Sequence, residues 1–525
     1  MNFGAHADWQ LLGLMAALGL LLALAPTLKL PVPVLLVLGG LGLGFVPGLP
    51  RVQLPPDIVL VAFLPPLLYS AAFFTSLRDL RTNVRPISLL ALGLVAATTC
   101  GVAVVAHEFI HEFSWAAAFT LGAVLAPTDA LAVTEIAGRL QVPRRIVAIL
   151  EGESLINDGT GLVLYKVAVA ATVSGSFSLW NAGGRLLLNI AGGVAVGLVV
   201  AVIVRWVRRR VDDPPVEVAL ALLSSYFAYL PATALGVSGV LATVTVGVFM
   251  GWHTPQLTSV ESRLSGDAFW EILAFLLNGA LFVLVGLQLH GILNRIGGRS
   301  TSSLIGDAAI VSAAVVAVRI VWVPIFTYVP RWAFRSVREK DPIPPWQAPV
   351  IISWAGIRGA VSLAAALALP TAFPGRELIV YLTFAVILVT LVGQGLTLPL
   401  LVRVLGLEDD DAAAREEAKA RIKAAEAALA RLDELVDEGS IREDTAERLR
   451  GAYRFRRQRF EARLDADDDG AIEERSVSYQ RLRRELLEAE RGAILGLRRA
   501  GVINDDVMHR VQRDLDLEDS RLDVV

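Results

Sequence analysis

Residues 149–171, ILEGESLINDGTGLVLYKVAVAA, have the length and apolar content of a membrane-spanning helix, yet they carry Glu151, Glu153, Asn157, Asp158 and Lys166. Two other apolar runs are charged in the same way. APTDALAV (126–133) holds Thr128 and Asp129, and GIRGAVSLAAALALP (356–370) holds Arg358. Asp158, Ser154 and Thr128 supply a carboxylate and two hydroxyl oxygens, and Asn157 adds an amide oxygen. Ser154 and Asp158 are four residues apart, so they share a helix face. Hard oxygen ligands of low total charge suit a small monovalent cation; the imidazole and thiolate ligands that suit transition metals are missing from the set. A desolvated carboxylate holds a proton more tightly than one in water. Such a group can exchange a proton for a cation near neutral pH with no cofactor and no metal other than the cation itself.

These residues need elements that carry them to mid-membrane depth. At a rise of ~1.5 Å per residue, Asp158 lies ~18 Å from a helix start at Ile146, Asp129 ~21 Å from Trp115 and Arg358 ~16 Å from Gln347. The hydrocarbon core is ~30 Å thick, so all three sit near its midplane. Charges there pair, face water or take part in function. The simplest alternative is a buried Asp129–Arg358 pair that only fixes helix packing. Two of the segments also read as interrupted: Pro127 removes a backbone donor, and Gly356 and Gly359 flank Arg358. Asp129 can offset positive half-helix N-termini and Arg358 negative C-termini.

The whole chain fits that setting. It has 525 residues, 54% of them hydrophobic, with a mean hydropathy of +0.58. Residues 1–402 hold 24 Lys and Arg against 20 Asp and Glu; residues 403–525 hold 24 against 31. This divides the chain into a transmembrane domain (1–402) and an acidic, helix-rich tail (403–525) that reads as a cytoplasmic regulatory or assembly domain. The single cysteine, Cys100, excludes an internal disulfide. Thirteen spans are predicted, starting near residues 9, 31, 57, 86, 115, 146, 186, 216, 237, 270, 303, 347 and 377. The interrupted fifth and twelfth are seven apart, as expected of six-span units repeated in inverted orientation around one extra helix. With the N-terminus outside, inward loops carry 16 Lys and Arg and outward loops 5, which predicts N-out, C-in topology. The N-terminus lacks a basic leader region, so the first apolar run is read as a retained helix.

The chain resembles the sodium/proton antiporters of the NhaP and animal NHE type, in the monovalent cation:proton antiporter superfamily. The resemblance rests on APTDALAV, EGESLINDGTGLV and GIRGAVSLAAALALP in that order and covers the membrane domain. It implies an all-α polytopic protein of the inner cell membrane, a homodimer, that exchanges Na+ (or Li+ or K+) for H+ in pH and sodium homeostasis. By the same likeness Asp158 is the essential carboxylate, with Ser154, Thr128 and Asp129 as supporting ligands. Asn157 stands where electrogenic relatives have a second aspartate, which implies electroneutral exchange. Glu153 matches a glutamate that pairs with an arginine several spans later, here Arg319 in AVRIVW. Many relatives have LPPLLFEA in the third span; this chain has LPPLLYSAAFF, with Ser70 at the acidic position. Glu151 and Lys166 receive no role beyond helix-end or cavity positions.

Several features offer other readings. HEFIH (107–111) matches a zinc-protease motif, and an intramembrane zinc hydrolase is the remote alternative; an interfacial polar turn is the plainer account. DADDDGAIEERS (465–476) resembles an EF-hand start but has Ser476 where the closing glutamate belongs, and reads as a solvated turn. In the tail, SIRE (440–443) reads as a capping box opening a helix after Gly439, with further helices over about 472–500 and 503–516. Phosphate-binding glycine loops and nucleic-acid-binding signatures are missing, so no nucleic-acid partner is expected.

Overall fold

The computed structural model describes residues 30–46, 55–129, 133–134, 142–174, 179–296, 299–406, 412–464 and 471–524, with isolated positions before residue 30. The start of the first predicted span, the loop residues Lys29, Arg51 and Arg139, and the first half of the EF-hand-like stretch (465–470) lie outside these. The described residues are helical and contain no strand. The chain divides into two compact units, 1–408 and 409–525.

Twelve of the thirteen predicted spans are traced among the described residues. They are Val32–Gly44, Pro56–Phe74, Val84–Phe109, the fifth beginning with Trp115–Leu125, Arg144–Ser174, Leu179–Arg208, Pro214–Ala234, Gly239–Leu257, Val260–Arg295, Thr301–Ala333, the twelfth as Gln347–Trp354 and Ala360–Leu367, and Arg376–Leu405. Six of these helices are long and apolar enough to cross a membrane by length and composition. The sixth has 31 residues but is not among the six, because its polar residues lower its hydropathy.

Local chemistry sets the boundaries. The side chains of Ser114, Ser238, Ser259 and Ser300 each accept a backbone N–H in the first turn of the fifth, ninth, tenth and eleventh spans. Prolines open the second and eighth spans, where a missing N–H costs nothing. Three spans contain a π-helical turn, at Val59–Phe63, Leu89–Leu94 and Val389–Gln394. Small residues allow close packing in lipid. At Gly40 and Gly286 the second and tenth spans touch backbone to backbone, and a Cβ at either would clash with the other helix's main chain.

One acidic residue ties several spans together at the membrane boundary. Asp341, between the eleventh and twelfth spans, bonds Arg85 at 3.2 Å, Arg145 at 2.7 Å and Arg331 at 2.5 Å. These arginines lie at the start of the fourth, the start of the sixth and the end of the eleventh span.

In the second unit, Ala412–Asp437 ends at Gly439, whose φ is +68°, a left-handed conformation that glycine adopts at little cost. The N–H of Ser440 then bonds Leu435 O at 3.0 Å, closing that helix. The expected SIRE capping box is therefore not formed. The next helix runs Glu443–Ala462 with Arg442 at its N-cap and no side-chain cap, because Ser440 belongs to the preceding turn. Ala471–Arg499 and Asp505–Val524 pack through Leu487, Leu515 and Leu522. The last helix is longer than the predicted 503–516.

Burial alone would push the Asp341 carboxyl up, but hydrogen bonds and charge from Arg331 and Arg145 outweigh it and hold the carboxyl below the ordinary aspartate range. A depressed native value adds stability that is present above the ordinary value and is lost as pH falls through the native one. Asp341→Asn should therefore lower the melting temperature in detergent at pH 7, by about 1–3 kcal/mol of stability, and the gap from wild type should close in acid. Equal melting at pH 7 would show that the cluster holds nothing together.

Candidate functional site

The fifth span stops at Leu125. Ala126 to Asp129 are non-helical, and helix is seen again at Val133 and Thr134. The twelfth stops at Trp354 and resumes at Ala360. The two breaks meet: the Asp129 N–H donates to Ile357 O at 2.8 Å. Backbone groups freed by an interrupted helix cannot stay unpaired in hydrocarbon, and each break satisfies part of the other.

Arg358 serves these exposed ends. Its Nε donates to Leu125 O, the last carbonyl of the fifth-span helix, at 3.0 Å, and another nitrogen donates to Gly356 O. Its own N–H donates to Thr390 Oγ1 at 3.1 Å, within the thirteenth span's π-helical turn. On the opposite side the Asp129 carboxylate lies against Gly359, the N-cap of Ala360–Leu367, so close that a Cβ there would overlap it. Opposite charges thus sit at opposite half-helix ends. Glycine is needed at 356 for a related reason: a Cβ would press on the side chains of both Arg319 and Arg358.

Behind the breaks lies a buried polar chain. Arg319 forks onto Glu153 at 2.5 and 2.8 Å, and its Nε donates to Ile352 O at 2.9 Å. Glu153 Oε1 also accepts from Thr128 Oγ1 at 2.9 Å, and Thr128 Oγ1 accepts from Asn157 Nδ2 at 2.7 Å. Glu153 and Arg319 are each 1% exposed and Asn157 is fully buried. Asn157 Oδ1 and one terminal nitrogen of Arg358 have no hydrogen-bond partner among the described residues.

In front lies a cavity of about 210 Å³. Its lining includes Ser70, Thr128, Asp129, Ser154 and Asp158. Asp158 is 7% exposed and has no hydrogen bond or ion pair with any described residue. Five of the residues singled out from sequence therefore share one cavity wall. Asn157, Glu153, Arg319 and Arg358 do not line it; they form the support behind.

The cavity's polar lining also includes residues that the sequence left without a site role: Thr75, Thr134, Glu151, Asn278 and Ser362. Asn278 is a lone amide in the apolar run FLLNGALF, and Ser362 lies three residues past Gly359 within an already conspicuous motif. Those were the available signals. Lys166 is exposed and lines a separate cavity with Arg185 and Asn189. In HEFIH, His107 Nδ1 lies 2.8 Å from Phe113 O and the ring stacks on Trp115 at 4.2 Å. No group of three metal-ligating side chains is placed to hold a metal among the described residues.

Crossed, interrupted spans beside a desolvated carboxylate, in a polytopic helical protein, define a secondary ion transporter. Residues 13–404 match the family described as sodium/hydrogen exchanger, transmembrane, and the chain belongs to it. It is 39% identical to an uncharacterized Na(+)/H(+) exchanger of Mycobacterium tuberculosis, over 93% of this chain and 91% of that one. It is 32% identical to the Na(+)/H(+) antiporter ApNhaP of Aphanothece halophytica, covering 93% and 92%. A sodium, potassium, lithium and rubidium/H(+) antiporter of Bacillus subtilis is 35% identical, over 71% of this chain and 58% of that one. Among solved structures, the sodium proton antiporter MjNhaP1 of Methanocaldococcus jannaschii has the same fold: TM-score 0.60 at 20% identity, over 76% of this chain and all of that one. The family is one of membrane exchangers, not of enzymes.

The Glu153–Arg319 pair gives a direct test of the support behind the cavity. Removing one partner of a buried pair strands the other charge, at a cost of about 3–5 kcal/mol. Arg319→Met should lower the melting temperature sharply, and Glu153→Met combined with Arg319→Met should restore part of it. A single variant as stable as wild type would show that the pair does not hold the crossing.

Proposed function

We propose that this chain is an electroneutral Na+/H+ antiporter working by alternating access. One observation carries the reading: Asp158 is buried, has no protein partner among the described residues, and faces a cavity whose other polar walls are hydroxyls, the Asn278 amide and the Asp129 and Glu151 carboxylates. Asp158 takes either a proton or a cation. Occupancy by one excludes the other, and that competition couples the two fluxes without ATP. Asn157 is neutral and its amide nitrogen is spent on Thr128. Asp158 is then the sole exchanging carboxylate, one charge moves in each direction, and a membrane potential does no net work on the cycle. Ser154 and Thr128 supply oxygens in place of hydration water, while Asp129 remains a fixed charge at its half-helix end.

The lining comes from the third, fifth, sixth, tenth and twelfth spans. In our reading the spans carrying the crossing move as a body against the others, exposing Asp158 to each side in turn. The 16:5 loop charge bias supports an inner-membrane protein with the N-terminus outside and residues 403–525 in the cytoplasm, where the acidic tail regulates or assembles a homodimer. A K+/H+ exchanger is the second reading. It is favoured by the all-oxygen site, by Ser70 in place of an acid, and by the cation range in the Bacillus relative's name.

Cation-driven proton movement in inside-out vesicles tests the proposal. Wild type should exchange, and Asp158→Asn should fall to background while remaining folded. Na+, Li+ and K+ compared on the same vesicles decide the cargo. The rate should not respond to an imposed membrane potential; a voltage-dependent rate would overturn the one-for-one stoichiometry, and exchange persisting in Asp158→Asn would overturn the site.

A further inference from the structure

Glu151 is a carboxylate that the exchange chemistry leaves unused. It lies seven residues before Asp158 on one uninterrupted helix, with Ser154 between them. Helical spacing puts all three on the same face, and all three line the same cavity. Burial increases along this line: Glu151 and Ser154 are partly exposed, whereas Asp158 is 7% exposed. The cavity is therefore entered from the Glu151 end. The rise from Glu151 to Asp158 is ~10 Å, more than one ion can bridge, so the two carboxylates cannot form a single coordination shell.

The surroundings do not neutralise Glu151 locally. It makes no hydrogen bond or ion pair with any described residue. Arg144, two turns earlier, is held by Asp79 at 3.0 Å. A carboxylate needed only for packing or capping would have a donor on it, whereas one facing a wet cavity attracts free cations. Between low-dielectric walls a single charge raises the local cation concentration more than it would at an open surface.

We propose that Glu151 and Ser154 form a second, transient cation site, an antechamber where a partly hydrated monovalent cation is held before it passes to Asp158. This rests on Asp158 being the exchange site. Ser154 serves both positions, lying one turn from each carboxylate. Glu151 is a positioning residue: it raises cation occupancy at the mouth and takes no part in the proton-for-cation competition. It lines the same cavity as Ser70, the third-span position where an acid is replaced, so this chain keeps a carboxylate on the access path in spite of that loss.

The test compares wild type, Glu151→Gln, Glu151→Asp and Asp158→Asn in vesicles, with rates measured against Na+ concentration from the Glu151 side. Glu151→Gln should raise the cation KM about tenfold, with the rate recovering at saturating Na+, and Glu151→Asp should restore most of the lost affinity. The difference between wild type and Glu151→Gln should shrink as choline chloride raises the ionic strength, as a screened charge requires. An unchanged KM in folded Glu151→Gln would overturn the antechamber. So would a rate that stays at background at saturating Na+, as for Asp158→Asn, because it would make Glu151 part of the exchanging unit. Wild type without cation-driven proton movement would instead overturn the antiport reading itself. Stabilisation of the detergent-purified protein by NaCl over choline chloride is an independent readout: it should weaken in Glu151→Gln even if the variant inserts poorly, and equal stabilisation would count against the proposal.

Discussion

A bilayer midplane offers no water to solvate a charge or a broken helix end. Everything around Asp158 follows from that constraint. An exchanging carboxylate must be free to change partners, so it cannot be neutralised by a permanent one. The protein accommodates it by pairing most of the fixed charges and freed backbone groups around the crossing. Asp129 and Arg358 sit at half-helix ends of opposite sign, Glu153 and Arg319 neutralise each other, and the two interrupted backbones bond across the crossing. The unpaired carboxylate is affordable because its surroundings are already in balance.

That arrangement gives the polar residues two tasks that their types alone do not separate. Thr128 lines the cavity and also donates to Glu153 while accepting from Asn157. It joins the cavity wall to the ion pair behind, so a change in how Thr128 is held is felt by both. Asn157 does not line the cavity, and its amide nitrogen braces Thr128. Its neutrality still matters, since an aspartate there would put a second charge within the same buried network with no cation assigned to it.

Much of this was legible in the sequence because it depends on residue type and period. Apolar runs gave the spans, Pro127 and the glycines around Arg358 marked the interruptions, and the spacing of Ser154 from Asp158 placed both on one face. The facing of individual side chains was less legible, because it depends on which helix lies opposite. The family likeness paired Glu153 with Arg319, but residue type alone did not show that Thr128 also bonds Glu153 or that Asn157 is spent on Thr128. Ser362 and Asn278 were ordinary polar residues in apolar runs until the twelfth and tenth spans placed them on the cavity. The π-helical turn that presents Thr390 to Arg358 has no composition of its own. SIRE misled for a local reason: a Schellman turn at Gly439 took Ser440 before it could cap the following helix.

The crossing also explains why glycine recurs where it does. Gly356 and Gly359 leave room for two guanidinium groups and a carboxylate against the backbone, and Gly161 does the same for the ring of Pro127, which a Cβ would strike. The sixth span is continuous and packs tightly on the broken fifth at the level where Asp158 faces the cavity. Under the proposed exchange, a continuous helix carrying Asp158, packed against two interrupted helices that carry the fixed charges, is suited to hold the carboxylate in one place. Access to that carboxylate can then change while its chemistry does not. This is what the proposed one-for-one exchange demands, since in it proton and cation meet the same Asp158 whichever side is open.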